Sequence, residues 1–318
     1  MEKFRWAYIG SGSIADSTAK SILAGNHKIA VVYGRNKKTA EEFAKRVGAV
    51  AVKTAQEAVN FDNVDGVYIA TPHTSHKEYA ILALSSKKPV LCEKPVAVTY
   101  DDALKMIDCA KENGVYFAEA MWTWFSDVAL TVKKWINGGR IGQVKSVDIC
   151  YSFPGVMMNK NSRVLTPETA GGALLDIGIY PITYCYNLFG YPDNIECKGT
   201  LKNGIDIKET VILTYGSTKC TLKMSLTSLK ENCVIKGTSG TIKLPVFHMA
   251  SVAVLKSKTG NETFRGKTDY LTEFTRAAKE IRQGKLQSDY IPFSATLDCL
   301  KIMDECRRQM NLIYPFEK

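Results

Sequence analysis

Apolar residues fall into two regimes along the chain. In the first third they form short compact runs, Phe4 to Ile9, Ile29 to Tyr33, Val67 to Ala70, Pro89 to Cys92 and Val115 to Ala118. Such runs predict strands buried on both faces of a parallel sheet. Helix-compatible stretches lie between them, ending near Ala24 and spanning Lys38 to Val47, Ala55 to Asn60, Ser75 to Ser86 with Ser75 as N-cap, and Thr99 to Asn113. Further on, apolar and polar residues alternate, which predicts strands over Val144 to Phe153, Ile195 to Leu201, Ile207 to Tyr215, Lys219 to Ser225, Cys233 to Gly237, Gly240 to Leu244 and Val252 to Ser257. Turns fall at Asn203-Gly204 and Ser239-Gly240, and helices are expected over Phe125 to Asn137, Ala173 to Phe189, Asp269 to Gln283 and Ser294 to Met310. The change of regime predicts an α/β domain over 1–120 and an α+β domain with a large, mostly antiparallel sheet over 121–318, the last helices being candidates to pack back on the first domain.

Between the first two apolar runs lies Gly10-Ser11-Gly12-Ser13-Ile14-Ala15, a G-x-G-x-x-A turn. Strand, glycine turn, helix and strand in that order predict a Rossmann dinucleotide-binding domain. Gly10 permits the tight turn, Gly12 admits the pyrophosphate to the backbone, and Ala15 lets the helix approach the strand. The phosphates are expected at the helix N-terminus, beside Ser11, Ser13 and Ile14. The second run ends in Gly34-Arg35-Asn36-Lys37-Lys38, where an acidic residue would bind the ribose of NAD. Arg35 and Lys38 suit a 2′-phosphate instead, so the expected cofactor is NADP(H).

Composition narrows the class. With 318 residues, 45% hydrophobic and 23% charged, the chain can fill two cores. No apolar run approaches a membrane span and no signal-peptide pattern opens the chain, which predicts a cytoplasmic protein. Nine cysteines without a C-x-x-C pair read as reduced thiols, and four dispersed histidines predict no metal site. The net charge of +10 is spread along the chain without a nucleic-acid motif, and attraction for an anionic cofactor suffices to explain it.

Ligands of open α/β sheets bind beyond the carboxyl ends of the strands, which makes Thr71, Pro72, His73 and His76 candidate cofactor contacts. The strand ending at Cys92 runs into Glu93-Lys94-Pro95, with Pro95 restricting Lys94 so that it enters the cleft. Trp122 and Trp124 are candidates for an aromatic wall, Trp122 also for the cofactor, with core packing as the alternative. Phe153 and Arg163 are further substrate-side candidates, Arg163 serving either substrate or the bracing of the 154–170 loop. Asp176 and Tyr180 stand at i and i+4 on one expected helix face.

Residues 10–15, Glu93-Lys94-Pro95, Glu119-Ala120-Met121-Trp122 and Gly171-Gly172-Ala173-Leu174-Leu175-Asp176-Ile177-Gly178-Ile179-Tyr180-Pro181 together resemble the Gfo/Idh/MocA oxidoreductase family over nearly the whole chain. The resemblance is nearest to its NADP-dependent dimeric dihydrodiol dehydrogenase and D-xylose dehydrogenase branch. It implies that Lys94 is the essential lysine, that Asp176 and Tyr180 are the D-x-x-x-Y pair, and that the protein is a homodimer through the second-domain sheet. One departure is Trp124, where relatives of the branch usually carry arginine.

These readings combine into an NADP-dependent dehydrogenase or reductase of a sugar, cyclic polyol or trans-dihydrodiol. Tyr180 is the expected acid/base, Lys94 the charge that lowers its pKa and Asp176 a substrate or Lys94 partner, with Lys94 itself as the alternative proton carrier. Two other classes compete. A non-catalytic NADP-sensing module would fail to reduce NADP with a panel of aldoses, inositols and dihydrodiols. A cofactor-retaining glycoside hydrolase would release a leaving group without accumulating NADPH.

Overall fold

A computed structural model describes residues 2–157 and 162–317. The chain divides into two compact units, Met1–Trp122 with Asp269–Leu297, and Thr123–Thr268 with Asp298–Lys318.

The first unit alternates strand and helix: β1 (Phe4–Ile9), α1 (Ser13–Ile22), β2 (His27–Tyr33), α2 (Lys37–Val47), β3 (Val50–Ala51), α3 (Ala55–Val59), β4 (Gly66–Ile69), α4 (His76–Ser85), β5 (Val90–Glu93), α5 (Tyr100–Asn113) and β6 (Phe117–Ala120). All strand pairs are parallel, in the order β3-β2-β1-β4-β5-β6. The order reverses direction between β1 and β4, and that switch point is where such sheets open a crevice at the strands' carboxyl ends. Nearly every residue of β1, β4, β5 and β6 is buried, as helices on both faces require. Trp6, Tyr8 and Tyr68 on the sheet pack with Phe274, Ala277 and Ala278, which the returning segment supplies from its helix Leu271–Arg282. His27 sits in this core. Its Nδ1 accepts from Trp6 Nε1 at 3.2 Å, and burial, followed by the Arg282 charge, lowers its pKa to about 4, so it stays neutral at physiological pH.

Ser75 occupies the N-cap position of α4 without bonding through its side chain. A 3₁₀ turn over His73–Ser75 already gives Ser75 a helical backbone, unlike the extended backbone of a side-chain N-cap. The expected N-cap position is borne out, and the chain enters α4 through a continuous 3₁₀-to-α turn.

The second unit adds α6 (Asp127–Asn137), β7 (Val144–Ser152), α7 (Ile179–Phe189), β8 (Asn194–Lys202), β9 (Ile205–Tyr215), β10 (Thr218–Ser225), β11 (Lys230–Gly237), β12 (Gly240–Leu244), β13 (Val252–Ser257) and β14 (Glu262–Arg265). They form one eight-stranded sheet, β14-β13-β12-β11-β7-β10-β9-β8, antiparallel except for β7 and β10. Val147, Ile149, Val211, Leu213, Cys220 and Leu222 are buried on one face, while Asp148, Lys219 and Lys223 are exposed on the other. All nine cysteines are free.

Two short strands escaped the sequence reading. β3 has two residues, one of them exposed, and β14 is a polar edge strand with no alternation to mark it. The predicted helix Ala173 to Phe189 is corrected to a π-helix, Leu174–Gly178, followed by α7. The 154–170 segment carries isolated 3₁₀ turns at Gly155–Met157, Arg163–Leu165 and Pro167–Thr169, with residues 158–161 of the expected loop outside the described residues.

Candidate functional site

In the first unit a cleft of about 140 Å³ opens at the switch point, lined by Gly10, Ser11, Gly12, Tyr33, Gly34, Arg35, Ala70, Thr71, Pro72 and Tyr79. Gly10 holds φ +119°, and a Cβ there would come within 2.4 Å of Ala70 O, so only glycine lets β1 pass β4 this closely. Gly12 has an ordinary φ of −82° and its Cβ would meet nothing within 4 Å. The glycine there keeps a cradle open over the first N–H groups of α1. Thr71 Oγ1 is buried at the same cleft without a hydrogen-bond partner. An open cradle, a helix N-terminus, an orphaned hydroxyl and an exposed guanidinium at the end of β2 fit a dinucleotide with an anionic ribose.

Of the expected cofactor contacts, the cleft brings together Gly10, Ser11, Gly12, Gly34, Arg35, Thr71 and Pro72. Ser13 and Ile14 open α1 behind the cradle, and Lys38 is exposed in the first turn of α2. His73 and His76 are buried in and after the 3₁₀ turn. Tyr33, Ala70 and Tyr79 join the lining unannounced. Tyr33 and Tyr79 pack edge to face at 6.0 Å, and an aromatic pair in a strand end and a helix looks like core in a sequence.

The Glu93-Lys94-Pro95 turn is fixed from below. His76 Nε2 lies 2.9 Å from Thr71 O, and its Nδ1 lies 3.0 Å from Pro95 O and 3.3 Å from Val96 O. This ring thus ties the cofactor loop to the lysine loop. Tyr68 donates its hydroxyl to the buried Glu93 carboxylate, whose other oxygen accepts the Lys94 N–H at 3.2 Å. Glu119 Oε1 accepts the Val96 N–H at 3.0 Å and Oε2 the Thr296 hydroxyl at 3.1 Å. Burial pushes Glu119 up to about 7, against the pull of those two bonds and of the Lys94 charge. Lys94 itself is half-buried, and its peptide bond to Pro95 is cis. Trp122 is buried and packs on Tyr270 at 5.0 Å.

In the second unit the D-x-x-x-Y pair sits on a backbone anchored by glycines and a carboxylate. Asp206 of β9, fully buried, accepts the Leu174 N–H at 2.6 Å, fastening the start of the π-helix. Gly172 holds φ +127°, and a Cβ would fall 2.0 Å from Asp206 Oδ1. Glu209 lies beneath the same segment, with its pKa pushed well up by burial and then by the Asp206 charge. Asp176 lies within this i→i+5 stretch, a form that recurs at functional sites. Asp206 and Glu209 were not anticipated, because charged residues within an alternating strand read as its solvent face.

Asp176 is engaged by Arg163 at 2.7 Å. Tyr180, in the first turn of α7, is 6% exposed and packs edge to face on Tyr151 at 5.9 Å and on His248 at 4.8 Å. Trp124 is buried and stacks on Tyr186 at 6.4 Å, with its Nε1 lacking a partner. Phe153 is half-buried just beyond β7, where its N–H donates to Ser225 O at 2.8 Å. Among the described residues no group of three or more His, Cys, Asp or Glu is arranged to hold a metal ion, and no helix is long and apolar enough to cross a membrane.

A parallel sheet in the 3-2-1-4-5-6 order with a glycine cradle, followed by a second unit built on one mixed sheet, defines a two-domain nicotinamide-dependent oxidoreductase. The chain belongs to the GFO/IDH/MocA oxidoreductase family: the model of its NAD-binding Rossmann fold matches residues 4–121 and that of its C-terminal domain residues 129–243. It is 33% identical over 327 residues to scyllo-inositol 2-dehydrogenase (NADP(+)) IolU of Bacillus subtilis, covering 99% of both chains. It is 29% identical to trans-1,2-dihydrobenzene-1,2-diol dehydrogenase of Danio rerio, covering 98% of each. The crystal structure of KijD10, a 3-ketoreductase from Actinomadura kijaniata in complex with NADP and TDP-benzene, has the same fold, with a TM-score of 0.88 at 21% identity over 97% of this chain and 98% of that one.

Proposed function

We propose that this oxidoreductase is NADP-dependent and interconverts a carbinol and a carbonyl of a sugar, cyclic polyol or trans-dihydrodiol. The observation that carries the cofactor choice is Arg35, which lines the cleft at the end of β2 where no carboxylate stands to bind a free 2′-hydroxyl. The names of the inositol and dihydrodiol relatives support the substrate class. Gly10, Ser11, Gly12 and Thr71 would hold the pyrophosphate, and Arg35, with Lys38 nearby in sequence, the 2′-phosphate. His76 acts through the loops it ties, and Ser13, Ile14, His73, Glu93 and Trp122 complete the cofactor side. Bound there, the nicotinamide supplies the hydride acceptor or donor.

The chain's own task is the proton. Tyr180 takes it from, or returns it to, the substrate oxygen, and the Lys94 ammonium favours the phenolate that does so. Asp176 binds a neighbouring hydroxyl, with Trp122, Trp124, Phe153 and Arg163 shaping the rest of the substrate site. The first unit, with the returning segment 269–297, serves as the cofactor domain, and the second unit as the substrate and dimerisation domain. The open face of the eight-stranded sheet supports a homodimer, which sedimentation of the purified protein would test, and the protein acts in the cytoplasm. The direct experiment is NADP reduction with a panel of inositols, aldoses and trans-dihydrodiols. Turnover of one class with NADP and little with NAD supports the reading, and no turnover of any overturns it.

A further inference from the structure

Asp206 and Glu209 are three residues apart on β9, a spacing that sends side chains to opposite faces of a regular strand. Here the pairing slips. Leu201 of β8 stands opposite Asp206 and Thr200 opposite Lys208, which leaves Ile207 as the extra residue of a β-bulge. Both carboxyls therefore turn inward, 0% and 1% exposed, while Lys208 between them is in solvent. They stand within hydrogen-bonding reach of each other. Yet Asp206 Oδ1 and both Glu209 oxygens have no donor, the Leu174 N–H being bonded to Asp206 Oδ2. Ionised carboxylates only accept, so two of them in contact and out of water would leave like charges opposed and those oxygens unsatisfied. One proton between them satisfies the contact and removes a charge.

The pair spans the π-helix. A Cβ on Gly172, ahead of its first turn, would fall 2.0 Å from Asp206 Oδ1, and one on Gly178, its last residue, 3.1 Å from Glu209 Oε1. Around the pair, β10 presents Met224 opposite Glu209, β8 Cys197, the helix Phe293–Met310 Cys306, and the chain beyond it Tyr314. Burial raises Tyr314, and the bond with Cys197 and then burial raise Cys306, so both stay neutral at physiological pH. Arg307 lies over the Tyr314 ring at 4.9 Å and pairs with Asp304 and Glu317.

We infer that Glu209 is a positioning residue for the π-helix that carries Asp176: as a neutral carboxylic acid it donates its proton to Asp206 Oδ1, and the joined pair clamps that helix at both ends. The Leu174 N–H needs its acceptor at Asp206, and burial followed by the Asp206 charge pushes the Glu209 pKa well up, so the proton sits on Glu209. Tyr180 follows Gly178 by two residues, so both members of the D-x-x-x-Y pair stand on the clamped segment. The effect on catalysis rests on the reading that Asp176 and Tyr180 meet the substrate. The proton on Glu209 does not.

The test compares the full-length wild type with Glu209→Gln, whose amide keeps a donor to Asp206 without a titrating proton, and Glu209→Met, which fills the space with no donor. The infrared difference between wild type and Glu209→Gln at pH 6 should contain the carbonyl band of a protonated carboxylic acid. Glu209→Gln should also lose less Tm than the wild type between pH 5 and pH 8. A folded pKa above the unfolded one makes stability fall as pH rises through that window, and the variant lacks this contribution. For the panel substrate the enzyme turns over, Glu209→Gln should keep the wild-type KM, while Glu209→Met should raise it about tenfold with NADPH affinity unchanged. A carboxylate band in the infrared difference, Tm curves that run parallel, or a Glu209→Met protein with the wild-type KM would each overturn the inference. If Glu209→Met does not fold, Glu209→Gln decides alone: loss of the acid band with KM kept supports the inference, and a tenfold rise in KM overturns it. An active Tyr180→Phe would sink the substrate reading and leave the acid band in place, so the two failures are told apart.

Discussion

Arg163 Nη2 and Asp176 Oδ1 stand 2.7 Å apart in the second unit, so the carboxylate of the D-x-x-x-Y pair already has a cationic partner from its own domain. Asp176 is the more buried of the two, its side chain 14% exposed against 44% for Arg163. The arginine thus holds the carboxylate in place while remaining partly in solvent. Arg163→Met is expected to raise KM for a polyol substrate by about tenfold, the loss of one charge-assisted contact, with NADPH affinity unchanged. Steady-state kinetics and cofactor fluorescence check the two halves separately, and an unchanged KM would show that the Arg163 contact does not serve substrate binding.

Arg35 should select the cofactor. Arg35→Asp replaces a bidentate donor by a like charge for the 2′-phosphate. NADPH binding should weaken by about tenfold or more, while NADH binding holds or improves. Titration of both cofactors measures this, and equal losses would remove the 2′-phosphate argument.

The two cleft glycines separate fold from ligand. Gly10→Ala puts a Cβ 2.4 Å from Ala70 O at φ +119° and should cost roughly 2 kcal/mol or more in stability. Gly12→Ala meets nothing in the protein, so its Tm should stay at the wild-type value while NADPH affinity drops about tenfold. Thermal melts with and without NADPH report both, and a Gly12→Ala that binds normally would move the pyrophosphate elsewhere.

Much of this arrangement was legible in the sequence, for stated physical reasons. Strands buried on both faces are mostly apolar, so β1, β2, β4, β5 and β6 could be read directly despite the buried Glu93 and Glu119, and Gly10 marked the cleft because a Cβ there meets Ala70, Gly12 because it leaves the cradle open. What stayed hidden lacks a local signature. The π-helix that carries Asp176 is fastened at its start by Asp206, 30 residues beyond Asp176 in the chain. The clamp by His76 and Glu119 on the lysine turn joins segments that only the sheet brings together. His248 was set aside with the other histidines because its partners, Tyr151, Tyr180 and Glu231, come from three separate elements.

Glu119 gives the first unit a pH signature. Its folded pKa of about 7 exceeds the unfolded carboxyl value of ~4.3, so between those values the native state holds a proton that the unfolded chain has lost. Its contribution to stability is full below about pH 4, falls as pH rises through that window, and is level above it. His27 acts in the opposite sense between about 4 and 6.5, and Glu273, which burial and then Glu93 push up, acts in the same sense as Glu119. Both remain in Glu119→Gln, so the difference between the two proteins isolates Glu119. The variant should lose less Tm than the wild type between pH 5 and pH 8, and parallel curves would contradict the assignment.

The proton role of Tyr180 is the claim on which the proposed chemistry depends. Single-turnover hydride transfer by Tyr180→Phe, with NADPH affinity measured on the same preparation, tests it most directly. The expected result is a rate lower by a factor of about 10² to 10⁴ with cofactor binding intact, and a rate within a few-fold of the wild type would contradict it.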